Sequence, residues 1–201
     1  AIAVTTVCLF AIPVNMAAQN WDDHNRHARY ATTAHARNYL NSCAPNAILF
    51  TYGDNDTFPL WYVQEVEGVR RDVRVVNLSL LSGSWYIDQM KRKAYESSGV
   101  PISFTHEQYR DGKRDYVLIR DQFKEGNLKD VMEFVASDLP QTKLQGYIKE
   151  LDFIPTRNVI LPVDSAKVIA NGTVKPQDAD QIVKDLRLHL PMQGLTKSQL
   201  M

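Results

Sequence analysis

One stretch, residues 46–79, most limits the folds open to this chain, because it has the pattern of a strand, a turn, a helix and a second strand. The apolar run at 47–50 predicts a strand that is buried on both faces. Pro59 is tolerated near the start of a helix, and Gly68 is a natural helix end. The β-branched run at 73–78 predicts the second strand. Such a unit has parallel strands and a right-handed crossover.

An acidic turn follows the first of these strands and is formed by Asp54, Asn55, Asp56 and Thr57. These are turn and helix-cap residues, so the helix is predicted to begin at about Asp56 or Thr57. The turn then lies at the carboxyl end of a parallel strand, the edge where open α/β sheets bind ligands.

Asp54 and Asp56 have the spacing of an Asp-x-Asp metal motif, in which two carboxylates hold Mg²⁺ or Mn²⁺ against a diphosphate. Free N–H groups at the helix start could also bind a phosphate without a metal. The alternative is structural, with Asp54 shaping the turn and Asp56 capping the helix.

Aromatic residues near this unit have two interpretations. Trp61, Tyr62, Trp85 and Tyr86 could line a sugar-binding cleft, but their helical spacing favours packing in the core. The full set of predicted ligand-binding residues is Asp54, Asn55, Asp56, Thr57, Trp61 and Asn77.

Residues 1–21 carry no charge, and residues 1–18 are mostly apolar. Such a segment is just long enough to be the outer part of a membrane-spanning helix. Trp21 then resembles an interfacial aromatic residue at the point where the chain enters water. A secretory signal peptide and a buried helix are the alternatives, although the basic region of a signal peptide is missing.

Residues 22–42 predict a second helix, capped by Asp22 or Asp23. Together with His24 and His27, these acids could form a metal cluster, but a helix cap with solvated histidines is the favoured interpretation. Arg26 could contact lipid headgroups or lie on a solvated face. The juxtamembrane polar cluster is therefore defined as Asp22, Asp23, His24 and Arg26.

The fold class predicted from these patterns is α/β, a Rossmann-like three-layer domain with a mostly parallel sheet, preceded by the end of a transmembrane helix. The expected domains are 1–20 for that helix, 21–45 for a juxtamembrane helix and 46–201 for an α/β soluble domain that is incomplete at its C-terminus. Further helices are predicted at 85–96 and 127–137, and further strands at 116–119, 158–163 and 186–190.

Charge and cysteine content exclude some classes of function. Lys plus Arg and Asp plus Glu both number 23, so the chain lacks the basic excess of a nucleic-acid-binding protein. Cys8 and Cys43 have no metal or redox spacing, so neither predicts a site.

Several motifs occur together in this sequence, among them Asn20-Trp-Asp-Asp-His24, Asn46-Ala-Ile-Leu-Phe-Thr51, Gly53-Asp-Asn-Asp-Thr-Phe-Pro-Leu-Trp-Tyr62, Asn77-Leu-Ser-Leu-Leu81 and Trp85-Tyr-Ile-Asp-Gln-Met90. Together they resemble bacterial membrane proteins of domain of unknown function 2723, of the Bacteroidetes type, which are related to multi-spanning protein O-mannosyltransferases. The resemblance is dense over residues 19–96 and weaker afterwards.

This resemblance implies that the chain is an internal fragment of a glycosyltransferase-like protein in the bacterial cytoplasmic membrane, with its soluble part in the periplasm. The parent would use a polyprenyl-phosphate sugar as donor and a protein as acceptor. Its catalytic acidic residues would lie in upstream membrane helices, so no catalytic residue is assigned to this chain.

Three readings therefore follow for function. The chain is an accessory soluble domain that positions donor or acceptor, held to the membrane through residues 1–18 and the upstream helices. Alternatively it is an independent α/β domain that binds a ligand through a divalent ion at Asp54 and Asp56, or a structural domain that packs on the membrane helices.

Overall fold

The computed structural model describes residues 1–146 and 151–201. It begins with helix α1 (Ile2–His24), which buries none of its residues against the rest of the chain. α1 is long and apolar enough to cross a membrane, and it is the one such helix in the described residues. The predicted apolar N-terminal helix is thus present, and its length and composition suggest membrane association.

The next helix, α2 (Ala31–Ser42), is separate and begins later than predicted. The single helix expected at 22–42 is therefore wrong, and so is the expectation that Asp22 or Asp23 caps it. Both acids lie in the last turn of α1, where the carbonyl end of the helix dipole disfavours a negative charge. The chain leaves the helix at Asn25, which is extended and accepts a hydrogen bond from the His27 N–H at 3.1 Å.

The βαβ unit consists of β1 (Ile48–Thr51), α3 (Asp54–Glu67) and β2 (Arg74–Asn77). The two strands are parallel, as predicted. α3 begins two residues before the predicted start, because Gly53 adopts a φ of 95° and turns the chain directly into the helix. Gly68 ends α3 in the left-handed conformation with a φ of 68°.

β1 is not buried on both faces, contrary to prediction. Leu49 packs into the cluster formed with α2 and α3, but Ile48 and Phe50 are exposed. The reason is that this sheet has only two strands, and the elements that cover Val76 of β2 on the other face do not reach β1.

The remaining helices and strands are short. The helices are α4 (Ser84–Met90), α5 (His106–Tyr109), α6 (Leu128–Ala136), α7 (Ser165–Ala170) and α8 (Lys197–Leu200), with 3₁₀ turns at Leu80–Ser82, Pro140–Thr142 and Pro176–Gln181. The strands are β3 (Tyr116–Ile119), β4 (Gly126–Asn127), β5 (Lys143–Leu144), β6 (Leu151–Ile154), β7 (Asn158–Pro162), β8 (Asp185–His189) and β9 (Gly194–Thr196).

The strands of the described residues form three small sheets, with the orders β1-β2, β5-β6-β3-β9 and β4-β7-β8. Three pairs are parallel (β1–β2, β3–β6 and β4–β7) and three are antiparallel (β3–β9, β5–β6 and β7–β8). The chain is a mixed α/β protein, but the predicted Rossmann-like domain with a mostly parallel sheet is not seen in residues 1–146 and 151–201. Apolar and polar residues alternate along β8, a pattern typical of an antiparallel strand with one face in solvent. β8 pairs in this way with β7.

Two hydrophobic clusters hold these elements together. The smaller joins α2, α3 and β2, and the larger joins β2 and α4 to α5, α6, α8 and the sheet around β3. Trp61 of α3 packs against both clusters, so it links the βαβ unit to the rest of the chain.

An arginine clamp fixes α2 to the βαβ unit. Arg70 donates to the carbonyl oxygens of Leu40 (2.9 Å) and Cys43 (3.1 Å) at the end of α2 and to the carboxylate of Asp72. Asp72 also accepts the N–H of Asn46 at 2.9 Å. The free carbonyls of α2 thus receive a cation, as the helix dipole favours.

Asp72 makes the stability of this clamp dependent on pH. The Arg70 guanidinium, together with the Asn46 N–H, holds the pKa of Asp72 at about 2, below its ordinary value of 3.8. A depressed pKa stabilises the folded state above the unfolded-state pKa, and this contribution is lost as pH falls through the folded-state value.

We expect Asp72→Asn to lower the melting temperature at pH 7 by roughly 2–4 °C, because a charge-assisted pair that is partly screened by solvent is lost. The difference from wild type should shrink between about pH 4 and pH 2, as thermal melts would show. Asp180→Asn, at an exposed acid, is the control. A difference that stays constant over this pH range would contradict the assignment.

Candidate functional site

The acidic turn lies at the carboxyl end of β1, where the sequence places it. Asp54, Asn55 and Asp56 are all exposed. Asp56 Oδ2 accepts a hydrogen bond from the Tyr52 N–H at 3.0 Å, so one of the two predicted metal ligands also closes the turn.

Thr57 and Asn77, the other polar members of the predicted ligand set, are buried together beneath this turn. The Thr57 hydroxyl donates to the Gly53 carbonyl (2.6 Å), lies 2.7 Å from Thr51 Oγ1 and accepts from Asn77 Nδ2 at 2.8 Å. The Asn77 N–H in turn donates to the Tyr86 hydroxyl at 2.9 Å. These two side chains therefore join the ends of both strands to the start of α3.

The polar residues of the predicted ligand set thus fall into two groups. Asp54, Asn55 and Asp56 are exposed in the turn, whereas Thr57 and Asn77 are buried beneath it and hydrogen-bonded to each other. Among the described residues, no three His, Cys, Asp or Glu side chains are placed to hold a metal ion. The juxtamembrane cluster is exposed, and His24 Nδ1 lies 3.1 Å from the Asn20 carbonyl of its own helix. The metal site at Asp54 and Asp56 stays a prediction.

We expect Thr57→Val to destabilise the protein by about 1–3 kcal/mol, because a buried hydroxyl with three polar partners is lost. Chemical denaturation measures this change. Thr32→Val, at an exposed position of α2, makes the same substitution without buried partners and should be close to neutral. Equal effects of the two substitutions would contradict the structural role of Thr57.

A metal ion at the acidic turn would raise the melting temperature, because it binds only the folded state. We expect Mn²⁺ or Mg²⁺ to shift wild type upward and to leave Asp54→Ala, which removes an exposed carboxylate, unshifted. Thermal melts with and without each ion test this. If wild type does not respond, the turn has only its structural role.

A second and deeper feature is a cleft of about 580 Å³ between α3, β2, α4 and residues 91–97. Its aromatic lining comes from Trp61 of α3, Trp85 and Tyr86 of α4, and Tyr95 of the segment that follows. A volume of this size is typical of small-molecule sites, roughly 300–1,000 Å³.

The aromatic rings of the cleft are fixed by close packing. Trp85 is 60% exposed, and its indole lies over Gly83, where an added Cβ would be 2.8 Å from Trp85 Nε1. Tyr86 meets Trp85 edge to face at 5.4 Å, while Trp61 stacks on Phe58 at 5.6 Å. The indole of Trp85 is therefore held in place while much of its surface faces solvent.

Charged groups surround Tyr95 at one end of the cleft. The Arg71 guanidinium carbon lies 3.6 Å from the centre of the Tyr95 ring, a cation–π contact. The Tyr95 hydroxyl donates to the Glu65 carboxylate, and Arg71 Nε is 3.6 Å from Glu96. Tyr95 has a φ of 53°, so the backbone turns sharply to present this ring.

Arg74 of β2 forms part of the cleft wall and is only 6% exposed. Its guanidinium donates to Ser97 Oγ (3.2 Å) and to the carbonyls of Gln89 (2.9 Å), Met90 (3.2 Å) and Arg92 (2.8 Å). Burial lowers the pKa of Arg74. Within residues 1–146 and 151–201, Arg74 Nε has no hydrogen-bond partner, and the guanidinium forms no ion pair with a carboxylate.

These contacts explain why the helix predicted at 85–96 is wrong beyond Met90. The carbonyls at the end of α4 bond to the guanidinium of Arg74, and the chain then turns through Ala94 and Ser97, which form an isolated antiparallel bridge. The basic residues 91–93 therefore lie beyond the helix and not in its last turns.

Three of the four aromatic residues proposed from the sequence for a sugar cleft share one location in the structure. Trp61, Trp85 and Tyr86 line the cleft, whereas Tyr62 does not. The preferred interpretation of core packing holds for Tyr86, which is 1% exposed, but not for Trp85.

Sequence reasoning missed Tyr95 and the basic residues of the cleft. An arginine within a β-branched strand, as at Arg74, was the signal that could have indicated a buried cation. Arg92, Lys93 and Tyr95 lie in a segment that resembled the end of a helix, and Arg71 lies in the loop between α3 and β2.

Comparison with known proteins gives one match. No curated protein and no solved structure matches the sequence. A family model, TMEM260-associated domain 2, matches residues 32–201, and the chain therefore belongs to that family.

Proposed function

We propose that this chain is a membrane-anchored accessory domain of a glycosyltransferase-like protein, and that its cleft binds a saccharide. Membership of the TMEM260-associated family hints at such a parent. The apolar, unburied helix α1 supports attachment to a membrane.

The finer points of this function rest on the sequence resemblance to membrane proteins of domain of unknown function 2723. The parent transfers a sugar from a polyprenyl-phosphate donor to a protein, and the domain lies on the periplasmic side of a bacterial cytoplasmic membrane. The chemistry belongs to the rest of the parent, and this domain positions donor or acceptor.

The observation that carries the saccharide proposal is the exposed, fixed indole of Trp85 in a cleft that Trp61 and Tyr95 also line. The face of an aromatic ring carries partial negative charge, which suits the polarised C–H groups on one face of a sugar. The polar groups of the cleft wall can then bond sugar hydroxyls and fix their orientation. An aromatic ring buried in a core offers no such face to a ligand.

We expect Trp85→Ala to weaken saccharide binding roughly tenfold, because it removes the most accessible stacking face. The full chain, reconstituted in lipid nanodiscs, would be screened on an oligosaccharide array, and each hit would be titrated by calorimetry. Trp85 is largely exposed, so the variant should fold normally, and circular dichroism would verify this.

Phe123→Ala provides the matched control, since Phe123 is 61% exposed and lies outside the cleft. It should bind as wild type does. Absence of any saccharide binding by wild type, or equal losses in the two variants, would refute the proposed function.

A further inference from the structure

We propose that the cleft selects an acidic saccharide, one that carries a carboxylate or another anionic substituent, over its neutral counterpart. This inference rests on the proposed function and concerns the substrate class of the same site. It is carried by the charges of the cleft, taken together with the aromatic rings described above.

The cleft is locally basic in a chain of zero net charge. Its lining includes one acidic residue, Glu65, and that carboxylate already accepts the Tyr95 hydroxyl. Glu96, beside the cleft, lies 3.6 Å from Arg71. The basic residues of the lining are Arg71, Arg74, Arg92 and Lys93.

Arg74 is the main source of uncompensated charge. A buried cation is costly unless it is paired, and here its partners are carbonyl and hydroxyl dipoles in place of a carboxylate. Water screens a buried charge less than an exposed one, so its field extends into the cleft. An anion bound in the cleft would offset this charge.

The groups able to contact such an anion lie nearer the surface. Lys93 is exposed, and it has no hydrogen-bond or ion-pair partner in the described part of the chain. Arg92 is also exposed, whereas Arg71 is partly buried and already has the Glu96 carboxylate at 3.6 Å. Guanidinium and ammonium groups are the donors that carboxylates and phosphates prefer.

Aromatic faces and unpaired cations in one cleft together indicate a ligand with both a sugar ring and a negative charge. A simple anion would not need the exposed indole of Trp85, and a neutral sugar would leave the charge of Arg74 without a counter-ion. The acidic saccharide uses both features of the site.

The test compares matched probes on the full chain in nanodiscs of neutral lipid. The probes are glucose oligosaccharides, the same oligosaccharides with one glucuronic acid residue, glucose 6-phosphate and inorganic phosphate. We expect the acidic oligosaccharide to bind at least tenfold more tightly than the neutral one at low salt. This preference should decrease as salt screens the interaction.

Lys93→Glu should lower the affinity for the acidic oligosaccharide at least tenfold and so reduce its advantage over the neutral one, because a like charge replaces an exposed cation of the cleft. Lys184→Glu makes the same charge reversal at an exposed lysine outside the cleft, and it should keep the preference. A loss in both variants would show a general charge effect and overturn the inference.

The other outcomes are equally decisive. Equal binding of neutral and acidic oligosaccharides would overturn the inference and leave the proposed function intact. Inorganic phosphate binding as tightly as the acidic probes would show an anion site without sugar recognition. If no oligosaccharide binds, both the inference and the proposed function fail. Tighter binding of glucose 6-phosphate than of the glucuronate probe would support the inference and identify the anion as a phosphate.

Discussion

The fold depends on arginine side chains that bond to the carbonyl groups at the ends of helices distant in sequence. Arg70 does so for α2, Arg74 for α4 and Arg114 for α6, where it donates to the Val135 carbonyl at 2.8 Å and the Ala136 carbonyl at 3.0 Å. The last carbonyls of a helix have no partner within it and carry partial negative charge. Each arginine therefore satisfies a helix end and fixes its position at the same time.

The three arginines differ in how their charge is balanced, and this difference sets the properties of their surroundings. Arg70 has Asp72 beside it, and Arg114 has Asp138 at 2.9 Å and Asp152 at 3.3 Å. Among the described residues, Arg74 has only carbonyl and hydroxyl dipoles as partners. The charges of Arg70 and Arg114 are thus balanced by carboxylates, whereas Arg74 leaves a positive field in the aromatic cleft. The same interaction that ends α4 gives the cleft its charge.

How far the sequence predicted the fold can be judged from particular residues. The βαβ unit followed from a regular alternation of apolar runs with Gly53 and Gly68, because the backbone conformations of these glycines are local properties. The division into three sheets did not follow, because strand pairing joins residues far apart in sequence. β3, for example, pairs with β6 and β9, and nothing local to residues 116–119 selects those partners.

The sequence predicted only part of the candidate site, again because local patterns reveal local structure and not contacts between distant residues. The acidic turn is where the sequence placed it, since it depends only on the strand and helix on either side. The burial of Thr57 and Asn77 was not predicted, because it depends on how the start of α3 and Tyr86 of α4 pack over the ends of the two strands. The sequence pointed to Trp61 and Trp85, which line the cleft. It did not predict the charge of the cleft, because that charge comes from Arg74, whose hydrogen-bond partners lie at least fifteen residues later in the chain.

The sequence by itself determined the apolar α1, the βαβ unit with its acidic turn, and the absence of a basic excess, all of which follow from composition and short-range periodicity. Only the tertiary structure decided which helix ends receive an arginine, which aromatic rings share a cleft and which cation lacks a carboxylate. These outcomes depend on the packing of residues that are distant in the chain, and local patterns carry no information about such packing.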